Sequence, residues 1–379
     1  MKHKKIHVIY IITKLELGGA QKVCLALHEG INDTLFSSHL ISGAQGILAT
    51  AVHNKQNICL LPTFVREVSY TTLLTEIRCF FTLVSHLSAL KKQHQHLIVH
   101  THSTKAGLMG RWAAWCTGIK IRIHTIHGYG FHPYQSWPTW FAIYAPEWIT
   151  SFITTHFICV SSADVKTGIK RLPFFSAKHT IIRAAVDTPH FYTPAKSTAL
   201  DMPDIFIFGT IACFKPQKNL FDLLQAFAHV YAHNNNTRLE IIGDGMQRPA
   251  LEAWIQHHNL TSVITLHGWQ LDVTTFMRTW QAFVLSSLWE GLPCSIIEAR
   301  LLKLPVISYD TGGIHDVIIH EHNGLLSIPK KWHMLAQHMI QLSTNKQLYH
   351  TLAAYQDNLS DFEYAHMINE HKNLYEKLV

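Results

Sequence analysis

Charge is scarce in this 379-residue chain: Asp, Glu, Lys and Arg together make up 15% of it. The lysines and arginines form no long basic run with interleaved aromatics, which argues against a nucleic-acid surface. No apolar run reaches the roughly 18 residues that a membrane-spanning helix requires. Seven cysteines (24, 59, 79, 116, 159, 213 and 294) form an odd set without a C-x-x-C pair. Several lie in apolar segments where a free thiol behaves as a small hydrophobe, and a reducing compartment fits best. Internal repeats and low-complexity tracts are also absent. The opening "MKHKKIHVIYIITKLELGG" has the basic-then-apolar order of a signal peptide. It lacks the small-residue cleavage site and passes into a glycine turn and a helix-like stretch, so a cytoplasmic protein, soluble or peripheral, is expected.

What the chain does have is apolar mass. Hydrophobic residues at 47% and aromatics at 11% exclude a disordered chain and can fill two cores. The length exceeds what one core supports, so two domains of about 150 to 200 residues are expected. The net charge of +7 counts 29 histidines as neutral. An imidazole titrates near about 6.5, so mild acid makes the chain far more positive. Partners bearing phosphate or anionic lipid are therefore plausible.

Short apolar runs alternate with longer helix-like stretches. "IHVIYII", "HLIVHTH", "IRIHTIH" and "HFICVSS" read as buried strands, with helical patterns such as "GGAQKVCLALHEGI" between them. A second series follows: "DIFIFGTIACF", "TRLEIIGDG", "SVITLHG", "AFVLSS" and "PVISYDT". These are separated by "NLFDLLQAFAHVYAHN", "MQRPALEAWIQHHN", "VTTFMRTW" and "CSIIEARLLK", each long enough for a crossover helix. Such alternation implies β-α-β units and parallel sheets. The best linker is "DTPHFYTPAKSTALDMPD" at 187–204, with three prolines and little periodicity. It divides the chain into domains at 1–188 and 203–379, both α/β with a doubly wound parallel sheet. In such sheets ligands sit beyond the carboxyl ends of the strands.

The stretch "SSLWEGLPCSIIEA", residues 286 to 299, holds two glutamates in apolar company. Ser295 and Glu298 have the S-x-x-E spacing of a capping box, which accounts for Glu298 as a helix cap. Glu290 precedes the Gly-Leu-Pro turn and needs another reason. Leu292, Pro293, Cys294 and Ser295 open the following helix, whose free N–H groups and dipole form an anion site. A carboxylate beside an anion repels it, so Glu290 is better placed facing the hydroxyls of a polyol, and Glu298 those of a ribose.

Glu290 and Glu298, with seven residues between them, precede "LLKLPVISYDTGGIHDVIIHEHNGLL". Together they resemble the E-x7-E signature of the retaining, GT-B-fold glycosyltransferases of family 4. The motifs "GGAQ", "HTIHGYGF", "VSS", "IACFKPQKN" and "IIGDG" follow the family order, and the resemblance covers roughly residues 6 to 330. It implies two facing Rossmann-like domains, with the acceptor on the N-terminal one and a nucleotide sugar on the C-terminal one. The last helix, about 360–379, would return to the first domain.

The resemblance implies roles residue by residue. Lys218 of "FKPQKN" would reach the donor diphosphate, and Glu290 the sugar hydroxyls. His127 would approach the donor sugar at the reacting centre. Gly18 and Gly19 would let backbone approach the diphosphate, although an ordinary strand-to-helix turn explains a double glycine there equally well. Cys213 stands where the family places an arginine, with Lys215 as a substitute. No D-x-D pair occurs, so a metal-independent transferase with no cofactor and no metal site is expected, its UDP- or GDP-sugar being the substrate. His124 and His127 point to opposite faces of a strand, and "HTH" at 100–102 reads as structural. The implied reaction moves a hexose-type sugar, with retention, to a glycan or lipid-linked acceptor of cell-surface polysaccharide type. Two alternatives stay open: a nucleotide-sugar-binding protein without turnover, suggested by Cys213, and an epimerase on the same fold. Residues 131–157 carry eleven aromatic side chains, histidine included, and no lysine or arginine. They are expected to form a buried helix, with a surface facing acceptor or membrane as the rival reading.

Overall fold

The computed structural model describes residues 5–52, 55–65, 73–191 and 204–379. The chain divides into two compact units, one comprising Met1–Ala185 with Asp361–Val379 and the other Val186–Ser360. The proline-rich linker falls mostly on 192–203, outside the described residues.

The strands of the first unit are β1 (Ile6–Ile12), β2 (Phe36–Gly43), β3 (Ile58–Leu61), β4 (His96–His102), β5 (Ile121–Ile126), β6 (His156–Cys159) and β7 (His179–Ile181). They form one parallel sheet in the order β3-β2-β1-β4-β5-β6-β7. Every residue of β1 is buried, so the run shows no alternation, as in strands covered on both faces. The helices are α1 (Gly19–Gly30), α2 (Ile47–Val52), α3 (Leu73–Gln93), α4 (Thr104–Cys116), α5 (Trp137–Ser151), α6 (Ser162–Arg171) and, from the chain end, α14 (Tyr364–Leu378). Among the described residues α3 alone is long and apolar enough to cross a bilayer by length and composition. Its Cys79, Leu83 and Leu87, four residues apart, are instead packed into the core of this unit.

α14 lies against α1 and plants its apolar stripe, Met367, His371, Leu374 and Tyr375, inside. The Tyr375 hydroxyl reaches Tyr10 of β1 at 3.3 Å and His100 Nδ1 of β4 at 2.6 Å. Lys372 pairs with Asp33 at 2.7 Å. Residues 361–379 thus complete the core around the sheet's two central strands.

The aromatic segment overturns the burial expectation. α5 buries Glu147, Thr150 and Ser151 and leaves Trp137, Phe141, Trp148 and Ile149 exposed. The reason is a pre-existing polar partner beneath it: Arg111 of α4, with no exposure, pairs with Glu147 at 2.8 Å, and Trp112 donates to Thr150 at 2.9 Å. A buried guanidinium must be answered by a carboxylate, so the polar side of α5 turns inward.

The second unit contains α7 (Thr188–Phe191), β8 (Phe206–Ile211), α8 (Leu220–His233), β9 (Thr237–Ile242), α9 (Arg248–His257), β10 (Ile264–Gly268), α10 (Thr274–Met277), β11 (Ala282–Leu285), α11 (Cys294–Leu301), β12 (Val306–Tyr309), β13 (Gly324–Ser327), α12 (Trp332–Thr344) and α13 (Lys346–Ala354). Its parallel sheet runs β10-β9-β8-β11-β12-β13. β13 adds a sixth strand to the five expected, and "VTTFMRTW" is a single turn where a crossover helix was expected. The strand order reverses between β8 and β11, and in the first unit between β1 and β4. Those reversals are where doubly wound sheets open a crevice at the strand ends.

Candidate active site

Two loops leave the reversal point of the second sheet. After β8 the chain runs to a 3-10 turn, Pro216–Lys218, and enters α8 through Asn219 in the left-handed region (φ 47). After β11 it runs through Ser286 to Pro293 before α11. Lys218 Nζ meets Glu290 Oε1 at 2.5 Å, both side chains being mostly buried. The structure therefore brings together the two residues that the sequence assigned to diphosphate and sugar.

The loops hold each other through one backbone bond and two side-chain donors on backbone carbonyls. Leu288 N donates to the Gln217 carbonyl at 2.8 Å, and Gln217 Nε2 donates to the Trp289 carbonyl at 2.6 Å. The Ser286 hydroxyl donates to the Lys218 carbonyl at 2.8 Å. From behind, Thr311 Oγ1 donates to the Leu288 carbonyl at 3.0 Å and Gly313 N to the Gly291 carbonyl at 2.7 Å. Gly312 (φ +58) lies so close that a Cβ there would collide with the Glu290 carbonyl oxygen. The pair is thus set by fixed backbone, the arrangement that catalytic groups need.

The helix start differs from the expectation. Pro293 is the N-cap of α11, so Ser295 is already the second helical residue and the capping box with Glu298 does not form. Leu292 and Pro293 are buried, Cys294 and Ser295 partly open, and Glu298 is buried within the helix. The opening turn remains a source of backbone N–H groups beside Glu290. Cys213 and Lys215 are half-buried in the loop after β8.

In the first unit, Gly18 caps α1 and Gly19 is its first residue, just beyond β1. Gly18 has extended backbone (φ −126), and a Cβ there would meet only the flexible end of Gln21 at 2.5 Å. Nothing local forces a glycine at 18. His127 directly follows β5 and precedes Gly128, which lies in the positive-φ region. Its Nε2 lies 2.9 Å from His102 Nδ1. Desolvation, followed by the neighbouring His371, lowers His127 to about 3, so its imidazole is neutral at physiological pH. His100 is bonded to Tyr375 and, at 2.6 Å, to Thr125. His124 is bonded to Thr101 at 2.9 Å. Both histidines of "HTH" are thus buried and hydrogen-bonded, and His102 directly holds the candidate His127.

Residues 17–190 match the model described as Glycosyltransferase Family 4, and residues 196–358 the model described as Glycosyl transferases group 1. An Escherichia coli protein, UDP-Gal:alpha-D-GlcNAc-diphosphoundecaprenol alpha-1,3-galactosyltransferase, is 30% identical over 86% of this chain and 84% of its own length. The chain is a family 4 glycosyltransferase. The capsular polysaccharide biosynthesis glycosyltransferase CapM of Staphylococcus aureus is 23% identical over 73% of the chain and 76% of its own. Anabaena HepE, solved with UDP and glucose, superposes with TM-score 0.80 at 16% identity, covering 98% of this chain and all of its own. Sucrose-phosphate synthase of Thermosynechococcus elongatus gives 0.73 at 17% identity over 99% of each. These two likenesses concern the fold, which is GT-B.

One motif noted in the sequence without a role supports this glycosyltransferase's site. Gly243 (φ +128) and Gly245 (φ +155) of "IIGDG" press against the loop after β8, where a Cβ at 243 would collide with the Ala212 carbonyl and one at 245 would meet Phe214 O at 2.7 Å. Phe214 N donates to the Asp244 carbonyl at 2.8 Å. The motif braces the loop that presents Lys215 and Lys218. A paired positive-φ glycine at a strand end was the available signal.

Proposed function

We propose that this family 4 glycosyltransferase moves a hexose-type sugar from a nucleotide diphosphate donor to a glycan or lipid-linked acceptor, with retention and without a divalent metal. The carrying observation is the Lys218–Glu290 pair at the reversal point of the second sheet. On donor binding, Lys218 exchanges Glu290 for the diphosphate, and the freed carboxylate accepts hydrogen bonds from sugar hydroxyls. The amides opening α11 at Leu292, Cys294 and Ser295 share the phosphate charge, Lys215 supplements it where Cys213 replaces the family's arginine, and Glu298 takes the ribose. Gly18, Gly19 and His127 serve from the first unit, His127 as a neutral ring against the sugar.

The reaction breaks the bond between the anomeric carbon and the diphosphate oxygen. The acceptor hydroxyl oxygen bonds to that carbon from the leaving-group side, and its proton passes to the departing phosphate. The E. coli relative, named for a UDP-sugar donor and a lipid diphosphate acceptor, supports UDP and a lipid-linked acceptor. That acceptor class supports a peripheral position at the cytoplasmic face of a membrane.

Release of free nucleoside diphosphate in the presence of acceptor is the test. Removing a preorganised donor of this kind costs about 3 kcal/mol, or roughly 10²-fold in rate, so Lys218→Ala should lose that much turnover while the chain stays folded. Near-normal turnover would contradict the assignment. An isomerised donor sugar would point to the epimerase, and donor binding without release to an inactive module.

A further inference from the structure

We propose that the outer face of α5, with the adjoining end of α6 and Phe174, seats on the surface of an anionic phospholipid bilayer. This deepens the peripheral placement proposed above by naming the surface and the lipid chemistry.

Three observations carry it. First, α5 is inverted: its Glu147 and Thr150 are taken up inside by Arg111 and Trp112, and its aromatics face out. Trp137 is 73% exposed, Phe141 50%, Phe152 51% and Phe174 66%. Second, these rings contact one another in two groups along the helix. Trp137 stacks on Phe141 at 5.6 Å between centroids, Trp148 meets Phe152 at 5.0 Å, and Phe152 meets Phe174 at 5.8 Å. Isolated exposed apolar side chains are ordinary, whereas grouped aromatics along one helix mark a contact surface. Tryptophan in particular suits the boundary between headgroups and acyl chains.

Third, the charge around the face has one sign. Residues 131–178 hold two carboxylates, and both are buried: Glu147 on Arg111, and Asp164 accepting from the Ser161 hydroxyl at 2.6 Å. The exposed charged side chains there are Lys166, Lys170 and Arg171. Arg171 lies over the Trp140 ring at 5.4 Å, and its carbonyl accepts from the Tyr144 hydroxyl at 2.8 Å, so the cationic end of α6 is fastened to α5. Cations beside exposed aromatics match anionic headgroups above an apolar interior. A second copy docking face to face would instead set cation against cation.

Flotation of the full chain with vesicles of phosphatidylcholine alone, and with 30 mol% phosphatidylglycerol, tests this at about 0.1 M salt. The expected result is recovery with the anionic vesicles, little with phosphatidylcholine, and loss in high salt. Lys166→Gln with Lys170→Gln should weaken binding about 25-fold, taking roughly five-fold per cation. Trp137→Ser with Phe141→Ser and Phe152→Ser should abolish recovery. Thermal stabilisation by UDP, measured on the same variants, should match wild type, because none of these residues belongs to the donor site. Equal flotation of wild type and the aromatic variant overturns the proposal. So does a wild-type dimer in light scattering that the aromatic substitutions dissolve and that ignores vesicles. If UDP fails to stabilise wild type while flotation behaves as expected, the donor assignment fails and the membrane surface stands.

Discussion

Lowering the pH should unfold this protein well above the range where carboxylates titrate, because the first unit buries histidines as neutral rings. His7, His28, His100, His102, His124 and His371 are each at most 6% exposed. Burial lowers His28 and His371 to about 4 and His7 to about 3, and holds His100, His102 and His124 well below the usual imidazole value. In the unfolded chain each titrates near about 6.5. Below that pH the unfolded state binds protons that the folded state refuses, so stability falls as pH falls and levels off only near the folded values. For a ring shifted from 6.5 to about 4, the loss at pH 5 is about 2 kcal/mol. Three such rings, His7, His28 and His371, sum to about 6 kcal/mol, within the 5 to 15 kcal/mol that holds a typical domain together, and His100, His102 and His124 act in the same direction. Urea unfolding followed by tryptophan fluorescence should show little change from pH 8 to 7, then a steep loss from 6.5 to 5. His371→Phe should lessen that slope by about one proton. A stability that is flat between pH 7 and 5.5 would refute the reasoning.

Other perturbations address the site and its supports. Gly312→Ala adds a Cβ against the Glu290 carbonyl at a positive φ; it should lower the melting temperature and cost turnover, both read from one preparation. Asp357→Ala removes the carboxylate that accepts from fully buried Arg300 at 2.8 Å; leaving that guanidinium unanswered should cost about 3 to 5 kcal/mol in urea unfolding. His102→Leu removes the partner of His127 and should lower turnover about five-fold, the worth of one hydrogen bond. His102→Asn, which keeps a polar atom near the Nδ1 position, should recover most of it, and equal rates for both variants would show that the contact does nothing.

The long buried strands were legible because continuous β-branched runs such as "IHVIYII" have few other uses. β3, β7 and β13, of four, three and four residues, carry too little pattern to separate from loops. "GLLS" in particular owes its strand state to pairing with β12. The segment 131–157 misled because hydropathy equates aromatics with burial, whereas the orientation of α5 is decided by Arg111, which lies on another helix. Ser295 misled in the opposite way: its spacing to Glu298 is that of a capping box, but Pro293 already begins the helix. Lys218 and Glu290 were legible as motif residues, yet their ion pair was not, since 72 positions separate them and only the β8–β11 reversal makes them neighbours.

The most direct measurement is a crystal structure with a bound UDP-sugar. The diphosphate should lie against Lys218 Nζ and the opening turn of α11, with Glu290 parted from Lys218 and bonded to hydroxyls of the sugar. A diphosphate bound elsewhere, with the Lys218–Glu290 pair still closed, would contradict the account.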